Sequence, residues 1–184
     1  MLNLRSILRQ KLLGYYFTNP IENHYLRELA GILGQDPANL SRELAKLESD
    51  GLFVSEKRGI QRYFRLNRSY PLYEEVRRII FTTVGVVGQL RAALERVPGM
   101  RDAYLFSSFA RNQQDAASDV DLLIVGNVQA EVLERSVRKL ERQLRREINY
   151  TVLSLEKLKA RRAKKDAFLE DIWRHKPVNL LTHP

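Results

Sequence analysis

The stretch SSFARNQQDAASDVDLLIV, residues 107–125, carries the fold of the second half of the chain. Its last eight residues, Ser118–Val125, read as a β-strand. Asp119 and Asp121 have one strand parity and project from one face, while Val120, Leu122 and Ile124 point the other way into a core. Two carboxylates side by side repel each other, and a divalent cation relieves that repulsion. Hard oxygen ligands on one face suit Mg²⁺ bridging the phosphates of a nucleotide. Arg101–Phe106 reads as a shorter strand before this stretch. Glu131–Arg146 follows as an amphipathic helix with Val132, Leu133, Val137, Leu140 and Leu144 inward, and Glu147–Leu153 as a further strand. Strands and helices in this order predict a small α/β domain with a mixed sheet.

The same stretch resembles the signature of the minimal nucleotidyltransferases of the polymerase-beta-like superfamily. That signature is Gly-Ser, then Ala-Arg-Gly, then Ser-Asp-x-Asp followed by apolar residues. Ser108, Ala110, Arg111, Ser118, Asp119 and Asp121 stand in register with it. The resemblance spans roughly residues 100–154. It implies that Ser107, Ser108, Arg111 and Ser118, with neighbouring amides, hold the triphosphate of a nucleoside triphosphate. It also implies that Asp119 and Asp121 are the catalytic metal ligands, with Mg²⁺ as cofactor.

Three departures bear on activity. Ser107 replaces the usual glycine, so the backbone approaches phosphate less closely, and Asn112 replaces the glycine after Arg111. The family's third acid, on a later strand, helps ligate metal and deprotonates the acceptor hydroxyl. Here Asn149 stands in its place, and an amide is neither a base nor a strong metal ligand. Glu147 shares parity with Asn149, about 7 Å away along the strand, and is the candidate substitute acid. Impaired catalysis is the expectation, with an active transferase as the alternative.

The first seventy residues follow another pattern. Leu4, Ile7, Leu8, Leu12 and Tyr15 recur at helical spacing, and Asn19-Pro20 breaks the chain. A second helix fits Tyr25–Leu33 and ends at Gly34. Asp36-Pro37 then supplies an N-cap and first helical residue. The third helix turns Leu40, Leu44 and Leu47 inward and Asn39, Ser41, Arg42, Glu43, Ala45 and Lys46 outward. Leu52-Phe53-Val54, the turn Glu56-Lys57-Arg58-Gly59, and Ile60–Leu66 predict a β-hairpin, with Ile60, Phe64 and Leu66 of one parity.

Three helices and a basic hairpin resemble the winged helix-turn-helix domains of bacterial transcription regulators, with NLSRELAKLESDGLFVSEKRGIQRYFRLN, residues 39–67, as recognition helix and wing. Double-stranded DNA is the partner this resemblance implies. Asn39, Ser41, Arg42 and Lys46 would face the major groove, and Lys57, Arg58 and Arg62 the backbone or minor groove. A solvated hairpin, or a winged helix that contacts protein, is the competing reading.

Between these parts, Val76, Ile79, Ile80, Thr83, Val84, Val87, Leu90, Leu94 and Val97 predict one long linking helix over roughly 73–97. It is either a core helix between domains or a homodimer helix, and its apolar Ile79–Leu90 surface also suits a protein partner. The expected organisation is α/β overall (α+β), with a winged helix over 1–70, the link over 71–98 and the nucleotidyltransferase-like domain with C-terminal helices over 99–184.

The remaining features exclude more than they assign. The chain has 184 residues, a formal net charge of +9 and no cysteine. A disulfide framework and a cysteine zinc site are therefore excluded, and a cytoplasmic location is expected. The basic excess favours a polyanionic partner, but about +4 lies before Tyr70 and about +5 after it, so charge does not locate the surface. The longest apolar run, 79–88, is about half of what a membrane span needs, and no membrane association is expected. Lys157–Lys165 holds six basic residues in nine, a solvated helix face or a second contact to DNA phosphate. His24, His175 and His183 show no metal-ligand spacing, and Trp173 with Phe168 and Ile172 reads as the packing of a terminal helix. No repeat, Walker loop, nucleophile elbow or dinucleotide fingerprint occurs.

Overall fold

The computed structural model describes residues 4–106 and 119–181. The chain divides into two compact units, residues 1–86 and 87–184. The first unit runs α1 (Ile7–Thr18), β1 (His24–Tyr25), α2 (Leu26–Leu33), α3 (Pro37–Ser49), β2 (Phe53–Arg58), β3 (Gln61–Leu66) and α4 (Tyr73–Thr83). Its helix ends follow local chemistry. Gly34 closes α2 at φ 59°, and the Asp36 carboxylate accepts the Asn39 N–H at 2.9 Å ahead of Pro37. Leu12, Leu13, Tyr16, Leu29, Leu40, Leu44, Phe53, Leu66 and Ile80 build one core. Each such side chain stabilises the fold by about 1.5–3 kcal/mol through burial. Tyr16 adds a polar tie, because its hydroxyl donates to the Phe64 carbonyl at 2.7 Å. Burial pushes that phenol well above its ordinary range.

Two features of this unit depart from sequence expectation. The first hairpin strand runs on through the residues expected to turn, and the second begins one residue later than expected, since Arg58 pairs with Gln61 and only Gly59-Ile60 turn. Gly59 at φ 59° takes the first central position, as in a type II′ turn. Ile60 is consequently at the tip and fully exposed, while Phe64 and Leu66 are buried. The second departure is β1, a two-residue strand that pairs His24 with Phe64 and Tyr25 with Tyr63, making a sheet of order β1-β3-β2. Two residues ahead of a helix leave no periodicity to read.

The expected single linking helix is two helices, α4 and α5 (Val86–Leu94). Gly85 explains the break. Its N–H and that of Val84 converge on the Ile80 carbonyl at 2.7 and 3.1 Å. A Cβ at Gly85 would stand 2.8 Å from that oxygen, so a side chain would collide with backbone.

The second unit continues with β4 (Met100–Phe106), β5 (Val120–Gly126), α6 (Ala130–Leu144), β6 (Ile148–Leu153), α7 (Leu155–Ala163), α8 (Ala167–Arg174) and β7 (Val178–Asn179). The sheet order is β6-β5-β4-β7. β4 is antiparallel to β5 and β7, and β5 is parallel to β6, the mixed sheet that the element order predicts. Val120, Leu122, Leu123, Ile124 and Val125 are all fully buried, so β5 is covered on both faces. One face packs Leu123, Val125 and Leu153 against Leu158 of α7 and Leu169 and Ile172 of α8. Among the described residues, no helix is long and apolar enough to cross a membrane.

Candidate functional site

Asp119 immediately precedes β5 and Asp121 is its second residue. Directly across the parallel pairing, Asp121 is in register with Asn149, and across the antiparallel pairing with Phe106. Side chains at paired positions rise from one face. The two carboxylates, Asn149 and Phe106 therefore crown the face that α7 and α8 cover further along. The central strand sets this placement, because it is paired on both sides, to β4 and to β6, and a slip of one residue would turn both acids over.

The third position behaves as its chemistry requires. The Asn149 amide donates a long hydrogen bond, 3.4 Å, from Nδ2 to Asp119 Oδ2. An N–H thus stands where a third carboxylate would repel the pair. Asp119 and Asn149 are exposed and Asp121 is half-buried, which leaves carboxylate oxygens open to solvent. Glu147 lies just ahead of β6 and is exposed, and its backbone carbonyl accepts the Val120 N–H at 2.9 Å. Among the described residues, no three histidine or carboxylate side chains converge as a metal-binding group. Two carboxylates on one face still fit a hard divalent cation. Asn149 could add a neutral oxygen if its amide turned over, with water completing the shell. Ser107, Ser108, Arg111 and Ser118, read as nucleotide-binding, lie outside the described residues.

The residues read as facing DNA all lie in the first unit. Asn39, Ser41, Arg42 and Lys46 are exposed on α3, and Arg42 donates to Asn39 Oδ1 at 2.6 Å. Glu43, expected on the outward face, is instead buried, and its carboxylate pairs with Arg9 of α1. It stands one turn after Leu40 on the inward stripe, where only a paired charge is tolerated. On the hairpin, Arg62 donates to Glu48 Oε2 at 2.7 Å and to Ser55 Oγ at 2.6 Å. Ser55 donates in turn to Glu48 Oε1 at 2.5 Å. Arg58 pairs with Glu56 and lies over the Tyr63 ring. That neighbour holds the Glu56 carboxyl below its usual range. The Lys46 and Lys57 side chains are exposed and have no hydrogen-bond or ion-pair partner among the described residues.

Sequence reading missed the surroundings of His24. Its ring is buried, with Nε2 2.7 Å from the Tyr15 hydroxyl and 3.2 Å from Glu22, and Nδ1 3.1 Å from Glu28. The Glu28 partner sits at i+4, a spacing visible in the sequence once a helix start is placed between them. The basic run of α7 is partly engaged: Arg161 pairs with Asp166 at 2.9 Å, and Arg162 lies 4.0 Å over the Trp173 ring. Lys157, Lys159, Lys164 and Lys165 are exposed. Ile172 is buried as expected, Trp173 is half-buried against Tyr104, and Phe168 is 37% exposed.

Residues 87–176 match the model of the nucleotidyltransferase domain family. The match begins in α5 and ends beyond α8, wider at both ends than the 100–154 stretch that carries the motif. No curated protein matches the chain.

Proposed function

We propose, from the nucleotidyltransferase domain of residues 87–176, that the chain is a DNA-binding transcription regulator whose second unit holds a nucleotide and transfers it poorly or not at all. Asn149 carries this reading, in register with Asp121 and hydrogen-bonded to Asp119 where transfer needs a base. Asp119 and Asp121 would hold Mg²⁺, which supplies charge neutralisation to the nucleotide phosphates. The residues of the chain would bind and orient the nucleotide, while no carboxylate at position 149 accepts a proton from an acceptor hydroxyl.

The first unit supports the DNA-binding half of the proposal. Its helices α1–α3 and the β2–β3 hairpin agree with a winged helix, in which α3 would present Asn39, Ser41, Arg42 and Lys46 to the major groove. Lys57, Arg58 and Arg62 would line the wing. A homodimer reading two half-sites would accompany this mode, and sedimentation with and without duplex DNA would test it. The primary experiment is duplex binding across a salt series beside pyrophosphate release from Mg²⁺ and nucleoside triphosphates. Salt-dependent DNA affinity with no pyrophosphate release is expected, and a protein indifferent to DNA at low salt would overturn the regulator.

A second reading, an active transferase acting on a small-molecule or protein hydroxyl, draws on the intact Asp119–Asp121 pair and on Glu147 as base. Pyrophosphate release that disappears in Asp121→Ala and in Glu147→Gln would establish it in place of the first.

A further inference from the structure

The face that bears the carboxylates continues into an aromatic ledge that the nucleotide reading does not yet use. Phe106 is the cross-strand partner of Asp121. The Phe168 ring of α8 meets Phe106 edge-on, with centroids 5.8 Å apart. Phe168 remains 37% exposed, although its neighbours Leu169 and Ile172 are buried. Over it lies the Arg161 guanidinium, 5.7 Å from the ring centroid, held by Asp166 at 2.9 Å. That guanidinium keeps the Asp166 carboxyl below its ordinary range, and Asp166 also caps α8 through the Leu169 N–H. The arginine is thereby fixed at one end of the ledge.

We infer that Phe168, backed by Phe106 and bordered by Arg161, is a stacking shelf for a nucleobase. The inference rests on the nucleotide-binding reading of the second unit and adds to it the residues that distinguish a nucleotide from bare phosphate. With Arg161 over part of the ring, a base would stack on the ring surface that stays exposed and on the outer plane of the guanidinium, both flat and polarisable. Its position fits as well. Paired side chains sit about 5 Å apart at Cβ, so Phe168 lies on the order of 10 Å from the carboxylates, comparable with the reach from the phosphates of a nucleotide to its base.

The test is calorimetry on the full chain with Mg²⁺, using ATP and inorganic tripolyphosphate as paired probes. Wild type should bind ATP more tightly than tripolyphosphate. Phe168→Ala should weaken ATP about tenfold and leave tripolyphosphate unchanged, while Phe168→Tyr retains wild-type ATP affinity. Equal affinity of wild type for the two probes overturns the shelf and leaves the phosphate site standing. Loss of both probes in parallel in a folded Phe168→Ala protein overturns it too. Failure of wild type to bind either probe overturns the nucleotide reading, and the shelf with it.

Discussion

The two units balance charge in opposite ways. In the first, the arginines read as facing DNA have polar partners of their own: Arg62 with Glu48 and Ser55, Arg58 with Glu56, and Arg42 with the Asn39 amide. In the second, Asp119 has the Asn149 amide, and Asp121 has no hydrogen-bond or ion-pair partner among the described residues. A ligand meeting the first unit must exchange partners, and much of each new contact is offset by an old one. A cation meeting the second would be drawn by two carboxylates of one strand face, whose partner among the described residues is the neutral Asn149 amide. Among the described residues, the acid pair is the less compensated of the two sites.

Removing the acids should produce the largest change. Asp119→Asn with Asp121→Asn should weaken Mg²⁺-dependent nucleotide binding at least about 100-fold in calorimetry, while duplex affinity stays unchanged. Nucleotide binding that survives both changes would break the comparison. A smaller effect of opposite sign is expected for Asn149→Asp. With a third carboxylate the site should bind Mg²⁺ about tenfold more tightly, and the metal-free protein should melt at a lower temperature. A pyrophosphate assay on the same variant would show whether the missing base alone silences transfer.

On the first unit, Glu48→Gln should release Arg62 and tighten duplex DNA about threefold with a steeper salt dependence, and Arg62→Ala should do the reverse. Equal loss in both variants would mean that the Glu48–Arg62 pair shapes the hairpin rather than restraining it. The smallest expected effect is acid sensitivity at Asp166. Its folded value is lowered, so the pair with Arg161 contributes stability above about pH 4, and that contribution is lost as pH falls through the lowered value. Thermal melts from pH 6 to pH 3 should therefore slope more steeply for wild type than for Asp166→Asn, which keeps a cap acceptor without the charge.

Legibility followed the range of the interactions. Asp36-Pro37 and Gly34 act within a few residues, and each stands where its pattern placed it. On β5 the acids fall at the strand start as read, but Leu123 and Val125 are buried on their face, so the strand is covered on both sides and does not alternate. Asn149 was legible through the resemblance, which put it where the family carries its third acid, and the pairing of β5 with β6 sets it opposite Asp121. What escaped reading depends on distant chain. β1 exists because β3, about forty residues on, offers it a partner, and Glu43 turns inward because Arg9 of α1 meets it there. The break at Gly85 was hidden because apolar spacing runs unbroken through 76–97, while the carbonyl that excludes a side chain belongs to the backbone. The serines read as phosphate-binding rest on resemblance alone, and they lie outside the described residues.

The sheet of the second unit has a consequence for how the protein is made. Its β4 edge is closed by β7, where Tyr104 pairs with Asn179 and Leu105 with Val178, and Arg91 donates to the Leu180 carbonyl at 2.9 Å. A ribosome delivers β4 some seventy residues before the strand that seals it. The first unit has all its sheet partners by Leu66 and can fold as it emerges, whereas β4 must wait with an unpaired edge. The second unit is accordingly expected to be more sensitive than the first to the pace of synthesis over this interval.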